Sequence, residues 1–454
     1  MRTIKIIKTG DHNKRLTVYR LLVYSLFLVL FSPGALLGAE IPSVEDVCAG
    51  KAKLPTIGDL TDGKVKIGDL VDKHNVDLVK DYLSVGLYEL VKRGMVMRMG
   101  TQLPPDQLNP KVFRKATERN RGKAVMNEGG AVYYEKIGTP WPGGVPYPSV
   151  KNGQEAIANH YYGSAWDSYH TFAVLWYINS KGVVYKTAQT DVSQIRCNTR
   201  ISEPPLGTNP GYENTLLIRL SALTYPLEVK GLGQLNIRYY DSAKNYDAGF
   251  AYLPAFKRTI RVSATTWQDN LAGSDLINGD SNGFLEPSSD WTFKLLGKKF
   301  LLVHEPKSPS PIFDDDERGY HSHPSKNLQF DVGKRFPRFG WVIMPVDVVE
   351  AIAKFKHVYG KRVLYISSWP YTYSGTSIQQ VDIYDRQMKM WKMLLLTNGC
   401  QQYVNGEPQT PISGSWMWDI QVGHATMQWM RQVLNPGNMH AERLNLTALL
   451  KMGR

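Results

Sequence analysis

From Ser168 to about residue 428, apolar and polar residues alternate with a period near two, the pattern typical of half-buried β-strands. The runs are short and are separated by turn-forming residues such as Asn179-Ser180-Lys181-Gly182. They cover residues 172–178, 183–195, 215–223, 235–240, 249–252, 259–263, 291–294, 300–303, 341–345, 362–369, 380–384, 388–396 and 416–428. Antiparallel strands joined by short loops, with few helices between them, predict one large curved antiparallel sheet or open barrel in a mostly β, α+β protein.

Two stretches interrupt this pattern. Gly297-Lys298 predicts a turn between the runs at 291–294 and 300–303. The long insertion at residues 267–290 is rich in Asp, Asn, Gly and Ser, and it predicts a surface excursion or a flap over one end of the sheet.

Ahead of the strands, apolar residues in the 69–93 stretch recur at three- and four-residue intervals, which predicts one amphipathic helix. Gly94 follows two basic residues and predicts the helix end. The helix could form a lid over an apolar cavity, but packing on the sheet is favoured because every amphipathic helix must bury its apolar face. That face consists of Leu70, Val71, Val76, Val79, Tyr82, Leu83, Leu87, Leu90 and Val91.

A turn rich in proline and glycine, residues 138–148, follows and leads into a short predicted helix at Gln154–His160. We expect the turn to bring the chain onto the sheet and the helix to lie against it. The stretch contains no catalytic motif.

The first 39 residues follow the plan of a secretory signal peptide: basic residues, an apolar run at Leu21–Phe31, and small residues ending at Ala39. The apolar run is shorter than the ~20 residues of a transmembrane helix, so a cleaved signal peptide is favoured over an uncleaved anchor. The rest divides into an N-terminal arm (40–68), a single β domain (69–430) and a polar C-terminal tail (431–454). We predict a periplasmic protein without a permanent membrane span.

Charge and motifs exclude several classes of function. The leader holds six basic residues and one acidic residue of a chain with net charge +13, so the mature protein is only mildly basic and no nucleic-acid partner is predicted. The sequence lacks HExxH and Walker motifs. The three cysteines are too widely spaced for CxxC chemistry and allow at most one disulfide: Cys48, Cys197 and Cys400.

The densest group of potential metal ligands is Asp314-Asp315-Asp316-Glu317 with His321 and His323. Neighbouring serines and prolines favour a solvated loop instead. We therefore predict no metal, no cofactor and no catalytic residue, and a protein that is not an enzyme.

Aromatic residues are spread over the strands, and alternate residues of a strand share a face of the sheet. Two interpretations remain open. The rings form the core, or they line a concave face that encloses an apolar ligand such as an acyl chain. The candidate cavity-lining residues are Trp141, Tyr147, Trp176, Tyr239, Tyr252, Trp291, Trp341, Tyr365 and Trp391.

Several short motifs occur in a fixed order: GGVPYP, NGQEAIANHYYG, AYLPAFKRTIRVS, SSDWTFKLLGKK, FGWVIMPV and VDIYDRQMKMWKM. In this order they resemble the bacterial family called domain of unknown function 1329, which in turn resembles the LolA/LolB outer-membrane lipoprotein-sorting proteins. The resemblance extends from about Asp69 to about Trp429. The chain departs from the family pattern at Phe256–Arg261, which is less rich in arginine, and at Arg338–Trp341, where a histidine-arginine pair is usual.

The resemblance implies an open half-barrel of LolA/LolB type, with helices against its concave face and an apolar cavity. Members of this family are often encoded near transporters of the resistance-nodulation-division type, so the resemblance also implies that the protein handles hydrophobic cargo. We therefore expect a periplasmic carrier or chaperone for a lipid, a lipoprotein or another amphiphile, with association to the outer membrane left open. The alternative is an envelope scaffold that works with such a transporter or with an outer-membrane protein.

Overall fold

In the part of the chain that the structure describes, the main element is one sheet of 15 strands. The computed structural model describes residues 41–262, 267–306, 329–398, 402–404 and 406–452. The predicted signal peptide, the Asp314–His323 loop and Cys400 lie outside these ranges. The helices are α1 (Val44–Cys48), α2 (Ile57–Leu60), α3 (Val85–Lys92), α4 (Lys111–Asn120), α5 (Gly153–Tyr162) and α6 (Leu446–Met452).

The strands alternate with short turns, as the periodicity predicts. In chain order they are β1 (Leu70–Val71), β2 (Met97–Met99), β3 (Ala124–Met126), β4 (Val132–Tyr134), β5 (Ser168–Ile178), β6 (Val184–Arg196), β7 (Thr215–Tyr225), β8 (Gly233–Tyr239), β9 (Ala248–Leu253), β10 (Arg258–Val262), β11 (Trp291–His304), β12 (Phe330–Asp331), β13 (Phe336–Pro337), β14 (Phe339–Ala353), β15 (Lys361–Ser367), β16 (Ile378–Tyr384), β17 (Met390–Asn398), β18 (Gln402–Val404), β19 (Glu407–Gln409), β20 (Ile412–Asp419) and β21 (Ala425–Leu434).

The large sheet is open. Its strand order is β1-β2-β14-β15-β16-β17-β20-β21-β5-β6-β7-β8-β9-β10, with β11 also paired to β14. The pairings are antiparallel except that of β2 with β14. Within the described ranges β10 pairs only with β9 and β11 only with β14, so these two strands do not close a barrel.

The sheet curves around α5. Gly153 at the start of α5 lies against the backbone of Phe293 in β11, where a Cβ atom would come within 2.6 Å of that backbone. Near the helix end, the ring of Tyr161 lies 5.4 Å from the guanidinium of Arg238 in β8. In a flat sheet the ten strand intervals from β11 to β8 would span about 48 Å, whereas residues 153–161 of the helix span about 12 Å. The structure thus confirms a mostly β fold with an open, curved sheet and a helix against its concave face.

The structure of β11 shows that one predicted turn is wrong. Gly297-Lys298 is not a turn, because residues 291–304 form one continuous strand along β14. The register shifts between Leu295 and Gly297, and Gly297 adopts φ +145°. A bulge of this kind bends a strand without ending it.

The predicted amphipathic helix at 69–93 is also wrong as a single element. It is divided into β1, a 3₁₀ turn at Val76–Tyr82, and α3. Asp72 and Asn75 form a side-chain-to-backbone turn, in which the Asp72 N–H donates to Asn75 Oδ1 at 2.8 Å. The Ser84 hydroxyl then starts α3 by accepting the Leu87 N–H at 3.1 Å.

The predicted helix end at Gly94 is confirmed. Gly94 has φ +112°, its N–H donates to the Val91 carbonyl at 3.0 Å, and the Met95 N–H donates to the Leu90 carbonyl at 3.1 Å. This pair of bonds is a Schellman motif, which needs a residue that tolerates positive φ.

The two faces of the central strands carry different cores. Towards α5, Leu394, Leu396 and Met417 belong to a buried cluster with Ile157 and Phe284. The opposite face, which we call the convex face, buries the alternating residues Met393, Leu395, Trp416, Trp418, Met427 and Trp429 under the N-terminal segment that contains Val71, Leu87 and Leu90. The chain end is packed too, since Leu449 of α6 is fully buried in a cluster with Ile218 and Leu235.

Candidate ligand site on the concave face

The 267–290 segment crosses the concave face and does not form a surface excursion. Its 3₁₀ turn at Asn278–Gly283 contacts β16, β17 and β20. Leu276, Ile277 and Phe284 are buried in the same core as α5. Polar composition misled the prediction because the segment brings its few apolar side chains inward and pairs its buried acids with residues of the sheet and of the turn before β15.

A buried arginine holds this segment to the sheet. Arg362 of β15 is fully buried, and its Nη2 lies 2.6 Å from Glu286 Oε1 and 3.4 Å from Asp280 Oδ1. Tyr359 donates its hydroxyl to Asp280 Oδ2 at 2.8 Å, and His357 Nε2 lies 3.3 Å from Glu286 Oε1. The cluster therefore joins two acids of the segment to three residues of β15 and of the turn before it.

Aromatic rings enclose the Arg362 guanidinium. Its central carbon lies 4.9 Å from the ring centroids of Phe284, Trp291 and Tyr359. Its Nε and Nη1 atoms have no hydrogen-bond partner in the described part of the chain. The rings supply cation–π attraction in place of those bonds.

The two acids respond differently to this environment. Burial raises the pKa of Asp280, although Arg362 partly offsets the effect. Burial also disfavours the ionised form of Glu286, but Arg362 and His357 outweigh it and hold the pKa of Glu286 below its ordinary value. The shorter contact to Arg362 explains why Glu286 is the better stabilised carboxylate.

A second arginine fixes the other end of the segment. Arg238 of β8 pairs with Asp247 through Nη2 and Oδ2 at 2.7 Å and donates to the Leu285 carbonyl. Its guanidinium lies 5.4 Å from the rings of Tyr161 and Trp267. The segment is thus held between β15 and β8, on opposite sides of the curved sheet.

Two spaces adjoin this segment. The inner cavity has a volume of about 60 Å³ and is lined by residues that include His160, Arg196, Leu217, Leu285, Leu396 and Ile412. The rim pocket has a volume of about 330 Å³ and is lined by Tyr246, Trp267, Gln268, Glu286, Ser289, Asp290, Lys354 and Phe355. Because consecutive residues Leu285 and Glu286 line one space each, the segment forms a wall between them.

His160 gives the inner cavity an unsatisfied acceptor. Burial lowers the pKa of His160 to about 4, so the ring is neutral at pH 7. Its Nε2 lies 3.1 Å from the Phe284 carbonyl and must carry the proton there. Nδ1 is then a lone-pair acceptor without a partner among the described residues. A few water molecules fit the cavity, but an acyl chain does not.

The nine aromatic residues singled out in the sequence do not share one surface. Four lie in the concave-face core or against it: Trp141, Tyr147, Trp291 and Trp391. Trp176 and Trp341 belong to the convex-face core, Tyr365 to a separate cluster with Val363, and Tyr252 to the cluster of α6. Tyr239 is half-buried. None of the nine lines the inner cavity or the rim pocket, because strand alternation divides the rings between both faces.

Sequence reasoning missed Arg362, Glu286 and Asp280. Arg362 directly precedes the largely apolar run Val363–Ile366 in β15, and a charged residue at a buried strand position requires a partner. That signal was available, but its partners lie more than 70 residues away in a polar insertion.

The described ranges give little support for a metal site or for a reactive thiol. They contain no group of three or more His, Cys, Asp or Glu side chains able to hold a metal ion. Cys48 and Cys197 are free, and burial raises the pKa of each thiol to about 12. These thiols are therefore protonated and weakly nucleophilic at pH 7. In the same ranges, every helix is too short or too polar to span a bilayer.

Solved structures that match this chain include proteins from three bacteria. A DUF1329 family protein from Desulfovibrio piger shares 15% identity with a TM-score of 0.41, over 63% of this chain and 92% of that protein. A putative outer membrane lipoprotein-sorting protein domain from Vibrio parahaemolyticus shares 18% identity with a TM-score of 0.42, over 65% and 96%. A LolA superfamily protein from Nitrosomonas europaea shares 11% identity with a TM-score of 0.36, over 66% and 100%.

No curated protein sequence is significantly similar to this chain. The family model "Protein of unknown function (DUF1329)" matches residues 70–446, close to the span over which the sequence motifs resemble that family. The chain therefore belongs to the DUF1329 family.

Proposed function

We propose that this protein is a non-enzymatic carrier of the bacterial envelope that binds the apolar part of an amphiphile on the concave side of its sheet. The amphiphile is a lipid or the acyl chain of a lipidated protein. We place the carrier in the periplasm, in agreement with the signal peptide expected from the sequence. No separate catalytic constellation is needed for this role.

The observation that carries the proposal is the rim pocket. Its volume of about 330 Å³ falls within the range of small-molecule sites. Phe355 and Tyr246 line this pocket and are 44% and 63% exposed as residues. Exposed rings around a pocket provide apolar contact that hydrocarbon can cover.

The remaining lining residues fit the polar end of an amphiphile. Lys354 Nζ donates to the Ser289 carbonyl at 2.8 Å, which places a cation at the edge of the pocket. Asp290 stands beside it, and burial together with the nearby Glu286 and Asp247 raises its pKa. Each methylene removed from water contributes about 0.8 kcal/mol, so partial enclosure of a chain suffices for binding.

The 267–290 segment limits how far a ligand enters. The inner cavity is too small for an acyl chain, and the segment separates it from the rim pocket. A longer chain would therefore require the Leu285–Glu286 wall to move away from α5. The buried arginine contacts give the segment a defined closed position from which such a movement would start.

Equilibrium binding of a fluorescent fatty acid tests the proposal. The wild-type protein should bind it, and Phe355→Asp should weaken binding by roughly tenfold or more because a charge replaces an apolar ring. Phe256→Asp is the matched control, since Phe256 is 71% exposed and lies outside the rim pocket. Equal loss in both variants, or no binding by the wild type together with no lipid in native mass spectra, would contradict the proposal.

A further inference from the structure

Several hairpin turns lie side by side at one end of the sheet. Strands β8 and β9 pair with Gly233 opposite Tyr252. The segment 225–232, which contains the β7–β8 turn, is therefore next to the segment 253–258, which contains the β9–β10 turn. Strands β6 and β7 pair with Gln189 opposite Tyr225, which places residues 179–186 at the same end. We call these three segments the hairpin end.

The hairpin end exposes large apolar side chains at its outermost positions. Leu227 is 75% exposed, Phe256 is 71% exposed and Tyr185 is 61% exposed. Turns usually present polar residues to water. Leu227 and Phe256 lie in two different turns, and Tyr185 lies at the start of β6. These three side chains form the apolar protrusions of the hairpin end.

Basic residues surround these protrusions. The hairpin end contains Lys181, Lys186, Lys230, Lys257 and Arg258, all exposed, and Glu228 is its one acidic residue. The excess of positive charge is local, because the mature chain as a whole is only mildly basic. Apolar protrusions within a basic surface complement the boundary between anionic headgroups and acyl chains.

We propose that the hairpin end docks on an anionic lipid bilayer, with Leu227, Phe256 and Tyr185 entering the boundary between headgroups and acyl chains. The neighbouring lysines and Arg258 contact lipid phosphates. Exposed apolar side chains among these basic residues fit the anionic surface and the hydrocarbon of such a bilayer. This inference goes beyond ligand binding at the rim pocket and does not depend on it.

Vesicle co-sedimentation tests the docking surface. The wild-type protein should bind vesicles that contain phosphatidylglycerol and bind pure phosphatidylcholine vesicles much less. The double variant Leu227→Asp/Phe256→Asp should lose at least roughly tenfold in affinity for the anionic vesicles. Leu206→Asp is the control, because Leu206 is 63% exposed in the turn between β6 and β7 at the opposite end of the sheet.

Three results would overturn the proposal: no binding of anionic vesicles by the wild type, equal loss in Leu206→Asp, or a wild-type dimer in light scattering that the double variant abolishes. The last result would show that the hairpin end joins two copies of the chain. Fatty-acid binding measured on the same variants separates the two hypotheses. Phe256→Asp should reduce vesicle binding alone, and Phe355→Asp should reduce fatty-acid binding alone.

Discussion

The two faces of the central strands differ in the kinds of side chain that they bury. On the convex face, Trp416 stacks on Phe339 at 4.5 Å and lies 4.9 Å from Trp429, and the N-terminal segment covers these rings. On the concave face, Arg362 is buried between two acids and three rings. Both faces of the sheet thus bury apolar side chains, and the concave face also buries an ionic cluster.

This difference indicates a division of roles. Hydrocarbon packing stabilises a fold without any requirement for exact partners, whereas a buried ion pair often contributes no more stability than apolar residues of equal volume. The concave face keeps such a cluster beside two cavities, and the cluster fixes the position of the 267–290 segment. We infer that the convex face mainly stabilises the fold and that the concave face holds the ligand.

The largest effect is expected from Trp416→Ala on the convex face. Loss of a fully buried tryptophan leaves a cavity and should lower the free energy of unfolding by about 4 kcal/mol. Urea unfolding followed by circular dichroism measures it. A loss below about 1 kcal/mol would mean that the convex face does not dominate stability.

A somewhat smaller effect is expected from Glu286→Ala on the concave face. The substitution leaves Arg362 with a weaker partner, Asp280, and should lower the free energy of unfolding by about 3 kcal/mol. The double variant Arg362→Met/Glu286→Leu should recover much of this loss, because hydrophobic residues can replace a buried pair. If the double variant is as unstable as Glu286→Ala, hydrophobic residues do not replace the pair. The cluster then stabilises the fold through more than the attraction between its charges.

On the convex side, the free energy of unfolding should depend on pH through Asp382. Burial raises its pKa to about 6, although it accepts the N–H groups of Val85 and Gly86 at the start of α3. The folded state therefore holds the proton more strongly than the unfolded state. The contribution of Asp382 to stability should fall by roughly 2–3 kcal/mol as pH rises from about 4 to about 6. The difference in unfolding free energy between wild type and Asp382→Asn should follow this course, and a flat difference would refute it.

Local sequence signals predicted much of the fold. The strand alternation, the Asn179–Gly182 hairpin, the α5 helix and the Gly94 helix end are each set by neighbouring residues. The predicted helix at 69–93 failed because Asp72, Asn75 and Ser84 compete for backbone groups, which apolar spacing does not register.

The candidate site depended on contacts that are distant in sequence. Arg362 meets Glu286 and Asp280 only after the sheet has curved and the insertion has crossed it. The register of the strands decides which face a ring occupies, and this is why an aromatic count did not identify the cavity lining. Family motifs indicated the fold but carried no information about these pairings.

Hydrogen–deuterium exchange with and without bound fatty acid tests the central claim most directly. We predict that ligand changes exchange in the 267–290 segment, in α5 and near Phe355, and leaves exchange in α3, which covers the convex face, unchanged. Exchange that changes only in α3, or not at all under saturating ligand, would contradict the assignment of the concave face as the ligand face.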